Sequence, residues 1–423
     1  QDMLDPVLLA AARRGGANIR FNCEVDGIEP DASGVKISLS ENGGRSTLCA
    51  RYVIAADGSG SFIRRRLGIA TIGPGELGAY IINVLFEADL SALVGDHPFV
   101  IAEVKNEQMH GMFIRVRDNH RWVLHISYDP AKGESADDFT PERCRELIHV
   151  AIGRSDIAIE ILGILPWQVA GSVAEHFRQG QVFLIGDAAH VVPPTGGFGL
   201  NTGIGDAHNL AWKLALVLQS QADAALLDTY DAERRPVAHF TLDQSLLRLQ
   251  NAELHFDPTR VSERIERGIA NPLVVDLGYR YASPAIIEPQ PLLPSLEDLG
   301  QDLDGSPGTR LPHVWVEHDA KRISTLDLIG SRFTVLAGQR GESWCLAAET
   351  IATHRSLDLA AYRIDEDIID PYGALSSAFG IYDTGALLVR PDGFIAWRAL
   401  GQDAQPEQVM QRVFERLLGG SLR

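Results

Sequence analysis

Leu4, Val7, Leu8 and Ala11 recur at helical spacing, which predicts an amphipathic helix that closes near Gly15-Gly16. Three strand-like segments follow, "IRFNCEVDGIEP", "GVKISLS" and "TLCARYVIAADG". Turn residues separate them, so they read as a small antiparallel ribbon feeding a buried strand, 52–55, that stops at Asp57-Gly58. Residues 62–67 read as a short helix. Between about 75 and 175 the texture becomes that of an antiparallel sheet, with "YIINVLFEADL", "HGMFIRVR" and "RWVLHISYDP" as strands. One helix, "TPERCRELIHVAIG", lies in this block, with Thr140 as N-cap and Pro141 at its first position.

The chain then returns to an apolar strand at 182–185, where "LIGDAAHVVPPTGGFGLNTGIGDAHNLAWKLA" begins two residues in. Ile204, Ala207, Ala211, Leu214, Ala215 and Leu218 give the helix of that string one apolar face. A Pro-rich connector, "SPAIIEPQPLLPSLEDLG", marks a boundary before strands "FTVLAG", "AYRID" and "GALLVRPDGFIAWR", with helices around 342–353 and 405–418.

Composition narrows the class. A chain of 423 residues with 45% hydrophobic and 22% charged residues is an ordinary globular protein of two or three domains. A net charge of −18 argues against nucleic acid or an anionic membrane as partner. No apolar run is long enough to span a bilayer and there is no secretory leader pattern, so a cytoplasmic location is expected. Cys23, Cys49, Cys144 and Cys345 are far apart, with no metal-type spacing, and read as reduced, mostly buried thiols. No metal is expected.

The glycine-rich string is the chemical centre of the sequence. A carboxylate, Asp187, stands at a strand's carboxyl end, where open α/β sheets bind ligands. Gly196, Gly197, Gly199 and Gly203 allow positive φ and close backbone approach, and the following helix N-terminus offers free N–H groups. The string resembles the GD motif of the FAD-dependent aromatic hydroxylases, the single-component flavoprotein monooxygenases. The resemblance implies that Gly186 and Asp187 bind the ribityl chain of FAD. It places Pro193, Pro194, Thr195, Gly196 and Gly197 beside the isoalloxazine, and Gly199, Leu200 and Asn201 at its pyrimidine edge.

"VIAADGSGSFIRRRLG" is similar to the family's DG motif, which serves FAD and the nicotinamide cofactor, with Asp57, Gly58, Ser61 and Arg64 on its fixed positions. "QDMLDPVLL" looks like the segment whose first glutamine, here Gln1, touches FAD. The tail resembles the thioredoxin-like domain of the phenol and polyketide hydroxylases. Overall the chain most resembles the 2,4-dichlorophenol-type phenol monooxygenases. Without a CxxC pair, dithiol chemistry in that tail is not expected.

The implied fold is α/β: a Rossmann-like three-layer FAD domain with an inserted antiparallel substrate sheet and a thioredoxin-like C-terminal domain. The expected divisions are 1–74 and 176–285 for the FAD domain, 75–175 for the substrate sheet, 286–304 for a linker, and 305–423 for the C-terminal domain. No G-x-G-x-x-G turn is present, and "GIATIGPGELG" at 68–78 neither follows that fingerprint nor opens a helix. The FAD domain is therefore expected to be N-terminally incomplete.

The implied reaction uses NADPH or NADH and O2. A flavin C4a-hydroperoxide transfers oxygen to a small phenolic ring. The alternatives are a large aromatic such as a polyketide, or a fragment without activity. Pro194, Arg115, Arg117 and His190 are the candidate catalytic residues, the arginines as phenolate-orienting groups and His190 as the nearest base to the GD motif. A homodimer is the candidate assembly.

Overall fold

The computed structural model describes residues 3–419 apart from 32, 98, 256, 258, 291 and 292, and the backbone alone at 117 and 255. Gln1 thus lies outside the described residues. The chain opens on α1 (Leu4–Arg14), which buries none of its residues. β1 (Cys23–Pro30), β2 (Val35–Glu41) and β3 (Gly44–Ala50) form an antiparallel sheet in that order, the ribbon expected from the sequence. β4 (Val53–Ala55) follows, then α2 (Phe62–Arg66), capped by the Ser61 side chain.

β5 (Thr71–Glu87) begins inside the 68–78 segment and is the long spine of the middle sheet. After the short α3 (Ser91–Val94) come β6 (Ile101–Lys105), β7 (His110–Arg117), β8 (Arg121–Tyr128), α4 (Pro141–Ile152) and β9 (Glu160–Ala174). Thr140 does cap α4, accepting from the Arg143 amide at 3.3 Å, with Pro141 at the first helical position. β10 (Arg178–Gln179) and β11 (Val182–Leu184) return to the first layer, where β11 pairs in parallel with β4. β12 (His190–Val191) adds to β9 and completes a six-stranded sheet in the order β12-β9-β5-β8-β7-β6. α5 (Phe198–Leu218) and α6 (Thr229–Gln250) then pack beside one another.

The remaining strands are β13 (Trp315–His318), β14 (Lys321–Ser324), β15 (Phe333–Ala337), β16 (Leu359–Arg363), β17 (Ala386–Val389) and β18 (Ile395–Ala399). The last four form a mixed sheet in the order β16-β15-β17-β18, flanked by helices at 342–355 and 406–418. Among the described residues no helix is long and apolar enough to cross a membrane.

The faces of the middle sheet matter for function. Ile82, Val84, Phe86, Phe113, Trp122, Leu124 and Ile126 point to one side, where with Cys144 and Ile148 of α4 they make a continuous core. Strand side chains alternate between faces, so Ile81, Asn83, Met112, Val123, His125 and Trp167 lie on the other. A Cβ added to Gly171, on the same side of β9 as Trp167, would meet Leu242 of α6 at 2.8 Å and Pro193 at 3.7 Å. This second face therefore looks toward α6 and the proline loop.

Two expectations are corrected. The apolar stripe of α5 does not face the core: Ile204, Ala207, Ala211, Ala215 and Leu218 are exposed, and Leu214 alone of the stripe is buried. The buried side of α5 instead carries Thr202, Asp206, Asn209 and Lys213: Thr202 donates to the Phe198 carbonyl of its own helix, and residues of α6 partner the other three. Nor are the cysteines mostly buried. Only Cys144 is; Cys49 sits exposed on the edge strand β3, and Cys23 and Cys345 are intermediate. Burial nevertheless pushes the Cys345 thiol up to about 11, which leaves it a poor nucleophile.

The β10-β11-β4 sheet ends at β4, whose Ile54 is 46% exposed.

Candidate active site

β11 is fully buried and ends at the Gly186-Asp187 turn. Gly186 has φ +57, and a Cβ on Gly203 would come within 3.2 Å of its Cα, so strand end and helix α5 meet backbone to backbone. The Asp187 carboxylate is exposed and receives no hydrogen bond from any described residue. The chain then passes buried Pro193 and exposed Pro194, whose carbonyl accepts from the Gly197 amide at 3.0 Å. The Thr195 hydroxyl donates to the Ser245 carbonyl of α6 at 2.7 Å and fixes the loop against that helix. Gly197, at φ +73, is the N-cap of α5 and supplies no side-chain cap. The first-turn N–H groups of α5 are thus left for an external acceptor. Leu200 and Ile204 stand over this opening, 60% and 54% exposed, while Asn201 donates to Asp276 at 3.2 Å.

A carboxylate without an internal partner, an uncapped helix start and flanking apolar side chains are what a polyhydroxylated chain ending in a flat electron-poor ring requires. The residues present fit FAD on these grounds.

The neighbouring DG turn is tied to this loop. Asp57 accepts from Ser61 Oγ at 2.6 Å and from the Ile63 amide at 3.0 Å, so its carboxylate caps α2. Gly58, at φ +79, turns the chain. Arg64 donates to the Ala188 carbonyl at 2.7 Å and to the Ser59 carbonyl at 3.0 Å, bridging the two motifs. Burial, then the charge of Arg65, holds the Arg64 guanidinium below its ordinary range.

His190 is fully buried, its Nε2 2.7 Å from Asp206 Oδ2. It fixes the loop from beneath and does not reach the opening as a base would. Arg115 is also corrected: its guanidinium lies over Phe99 at 4.8 Å and Trp122 at 5.5 Å, on the sheet face packed with α4. Alternation from Ile114 turns it away from the proline loop. The backbone of Arg117 ends β7 after a register shift, at the rim of the sheet.

Sequence reasoning missed what holds the turn. The Asp206 carboxylate accepts the Gly186 amide at 3.0 Å and the Arg234 Nε at 2.8 Å, besides its contact with His190. Arg234 continues to the Thr202 carbonyl at 2.9 Å and the Tyr281 hydroxyl at 3.1 Å. The preceding residue of α6, Glu233, accepts from Arg390 at 2.6 and 2.9 Å, Lys213 at 2.8 Å, Asn209 at 2.6 Å and Ser283 at 2.6 Å. Arg390, from the turn between β17 and β18, also binds Asp392, and Phe394 stacks on Tyr281 with ring centres 4.0 Å apart. The C-terminal sheet thus reaches the GD turn through two adjacent residues of α6. The polar spacing 206, 209, 213 on one side of α5 was the available signal.

Burial pushes both carboxyls up, but the charges of Arg234 on Asp206 and of Arg390 and Lys213 on Glu233 outweigh it. Both are held below the ordinary carboxylate range. The unfolded chain binds protons at ordinary values near 4, so this stabilisation is complete above about pH 5 and is lost as pH falls through the folded values. The melting temperature should be level from about pH 6 to 5 and drop steeply below about pH 4. In Glu233→Gln the acid slope should be shallower; an unchanged slope would remove Glu233 from the account.

Comparison with known proteins identifies the setting. Residues 1–245 match the family model described as FAD binding domain, and residues 304–420 match aromatic-ring hydroxylase, C-terminal. Tetracenomycin A2 monooxygenase-dioxygenase of Streptomyces glaucescens is 40% identical over 99% of this chain and 76% of that protein. 4-Methyl-5-nitrocatechol 5-monooxygenase of a Burkholderia species is 38% identical over 99% of this chain and 78% of its own. The crystal structure of aklavinone-11 hydroxylase, a ternary complex with FAD and aklavinone, superposes with a TM-score of 0.90 at 36% identity, covering 99% of this chain and 78% of that one.

Proposed function

Because this chain belongs to the FAD-dependent aromatic hydroxylases and is a flavoprotein monooxygenase, we propose that its substrate is a hydroxylated, fused-ring aromatic of polyketide type, with NADPH or NADH as electron donor. One observation carries the substrate class. Along β9, Trp167 and Gly171 lie on the same face, four residues apart, and Gly171 is the position beside Pro193. At about 3.3 Å per residue this is about 13 Å, which a planar molecule of several fused rings spans and a single ring does not. Between them on that face stands Val169, 3% exposed, and the face opens beyond Trp167, where Leu165 is 63% and Met112 36% exposed. The single-ring phenol is the second reading, favoured by the nitrocatechol relative.

Bound FAD supplies the oxygen-activating chemistry. The chain's own residues supply the rest. Asp187 would accept the ribityl hydroxyls, and the Gly199 and Leu200 amides would face the electron-rich edge of the ring at the start of α5. Pro193 and Pro194 would close one side of the reaction space and exclude water from it.

The test is a panel of single-ring phenols and hydroxylated anthraquinones or tetracyclic aromatics, given to the FAD-saturated protein. Substrate-stimulated NAD(P)H oxidation with gain of one oxygen by mass is expected for the fused rings. Turnover of the phenols alone would replace this reading with the second. Asp187→Ala should weaken FAD binding by roughly 10- to 100-fold, the loss of charge-assisted hydrogen bonds. Its melting temperature without flavin should be unchanged, since the carboxylate has no internal partner to lose.

A further inference from the structure

The geometry points to His125 as the group that receives the proton of a substrate ring hydroxyl, held for that task on the open face of the middle sheet by Asn83, Met112 and Trp167. The inference rests on the reading of that face as the aromatic surface. His125 pairs across the sheet with Asn83 on β5 and Met112 on β7, and Asn83 pairs in turn with Leu165 on β9. All four therefore share a face, the one directed to the proline loop. The Trp167 indole donates to Asn83 Oδ1 at 2.7 Å and stands edge-on to the imidazole, with centres 6.2 Å apart. This fixes one wall for the histidine.

Neither nitrogen of His125 has a hydrogen-bond partner among the described residues, although the ring is half-buried. The nitrogens are not buried unpaired atoms, so they are open to the space above the sheet. Here both nitrogens are left for what lies above the sheet.

Four of the other charged or titratable groups on this face are paired with one another, and Lys105 of β6, across from His110, and Glu160 of β9, across from Glu87, also share it. Glu103 of β6 lies 2.7 Å from His110 of β7, and Glu87 of β5 accepts from Arg121 of β8 at 3.0 Å. Burial lowers the His125 pKa below the ordinary histidine range, so near neutral pH the ring is the free base.

The step balances simply. The substrate O–H bond breaks, its electron pair stays on oxygen, and an N–H bond forms on the imidazole. The resulting phenolate, on the ring farthest from the proline loop, passes charge through the conjugated fused rings toward the carbons nearer that loop. The imidazolium afterwards returns the proton to solvent.

The test uses 1,2-dihydroxyanthraquinone (alizarin), whose visible band moves to longer wavelength on ionisation, titrated into the protein without flavin. Wild type should bind the dye and raise its ionisation constant by about tenfold. His125→Gln, which can hydrogen-bond but not take the proton, should bind within about threefold and leave ionisation at the free dye's value. Leu165→Glu, on the same face and exposed, should lose binding at least tenfold. Equal ionisation in wild type and His125→Gln overturns the assignment of His125 while leaving the aromatic surface intact. Absence of binding to wild type, or full binding to Leu165→Glu, removes the surface itself and the inference with it.

Discussion

Glu233→Ala is expected to destabilise the fold by about 3–5 kcal/mol, because it leaves buried cations without their shared counter-ion. Arg390, Lys213 and Glu233 are each wholly inaccessible, at 0% side-chain exposure. None can recover hydration when the carboxylate is removed. Asp392 remains for Arg390, but Lys213 keeps only the Asn209 oxygen at 2.8 Å. Urea unfolding should show a lower midpoint with little change in slope, and an effect below about 1 kcal/mol would mean that water reaches the cluster. The exposed Arg154–Asp156 pair is the internal control. It is well formed at 2.7 Å, yet both groups are in solvent, so Asp156→Ala should leave the midpoint where it is.

Gly196→Ala is expected to cost about 100-fold in FAD affinity, through displacement of the loop rather than loss of any contact of its own. Gly196 has φ +99, and an added Cβ would lie 2.2 Å from the Phe198 ring. That ring is buried against Ala270, Val274 and Val275, with Arg248 stacked on it at 4.8 Å. It has no free space to move into. Backbone strain of about 1–3 kcal/mol adds to the clash. The loop must rebuild from Pro194 to the first turn of α5, where the free N–H groups lie. Quenching of flavin fluorescence measures the affinity, and a dissociation constant within threefold of wild type would show that the loop is not the binding element.

The local chemistry of this protein was readable from its sequence where neighbours in the chain are neighbours in space. The GD string is such a case: Asp187, the prolines, the glycines and the helix start all lie between residues 187 and 203. The Thr140 cap and Pro141 are another. What the sequence concealed is long-range. Asp206 meets Gly186 and Arg234, and Glu233 meets Arg390 157 residues away. The spacing of Asp206, Asn209 and Lys213 in "DAHNLAWKLA" marks a polar side but does not by itself say that this side is the buried one. Apolar stripes normally face the core, and that rule gave the wrong face for Ile204 and Ala207 because ionic partners from α6 and the C-terminal sheet had filled the other side. His125 was hidden for a related reason. Alternation in "RWVLHISY" separates two faces but does not tell which is closed by α4 and which is open. The arginines drew notice by charge alone, and Arg115 was spent on Phe99 and Trp122.

From Trp167 to Val173, which pairs with His190 below the GD loop, β9 shifts register twice against β5, and at both shifts the extra residues lie on β5, so β9 itself stays regular. If that face holds the substrate as proposed, β9 works as a ruler between it and the GD loop. Side chains return to the same face every second residue, so only even insertions or deletions preserve both ends. Each such step moves the platform by about 6.6 Å, more than the width of one fused ring. On that proposal, regiochemistry is a matter of strand length as much as of pocket shape. Relatives that differ by two residues between these points would present different carbons of the same ring system for oxygenation, with no catalytic side chain exchanged.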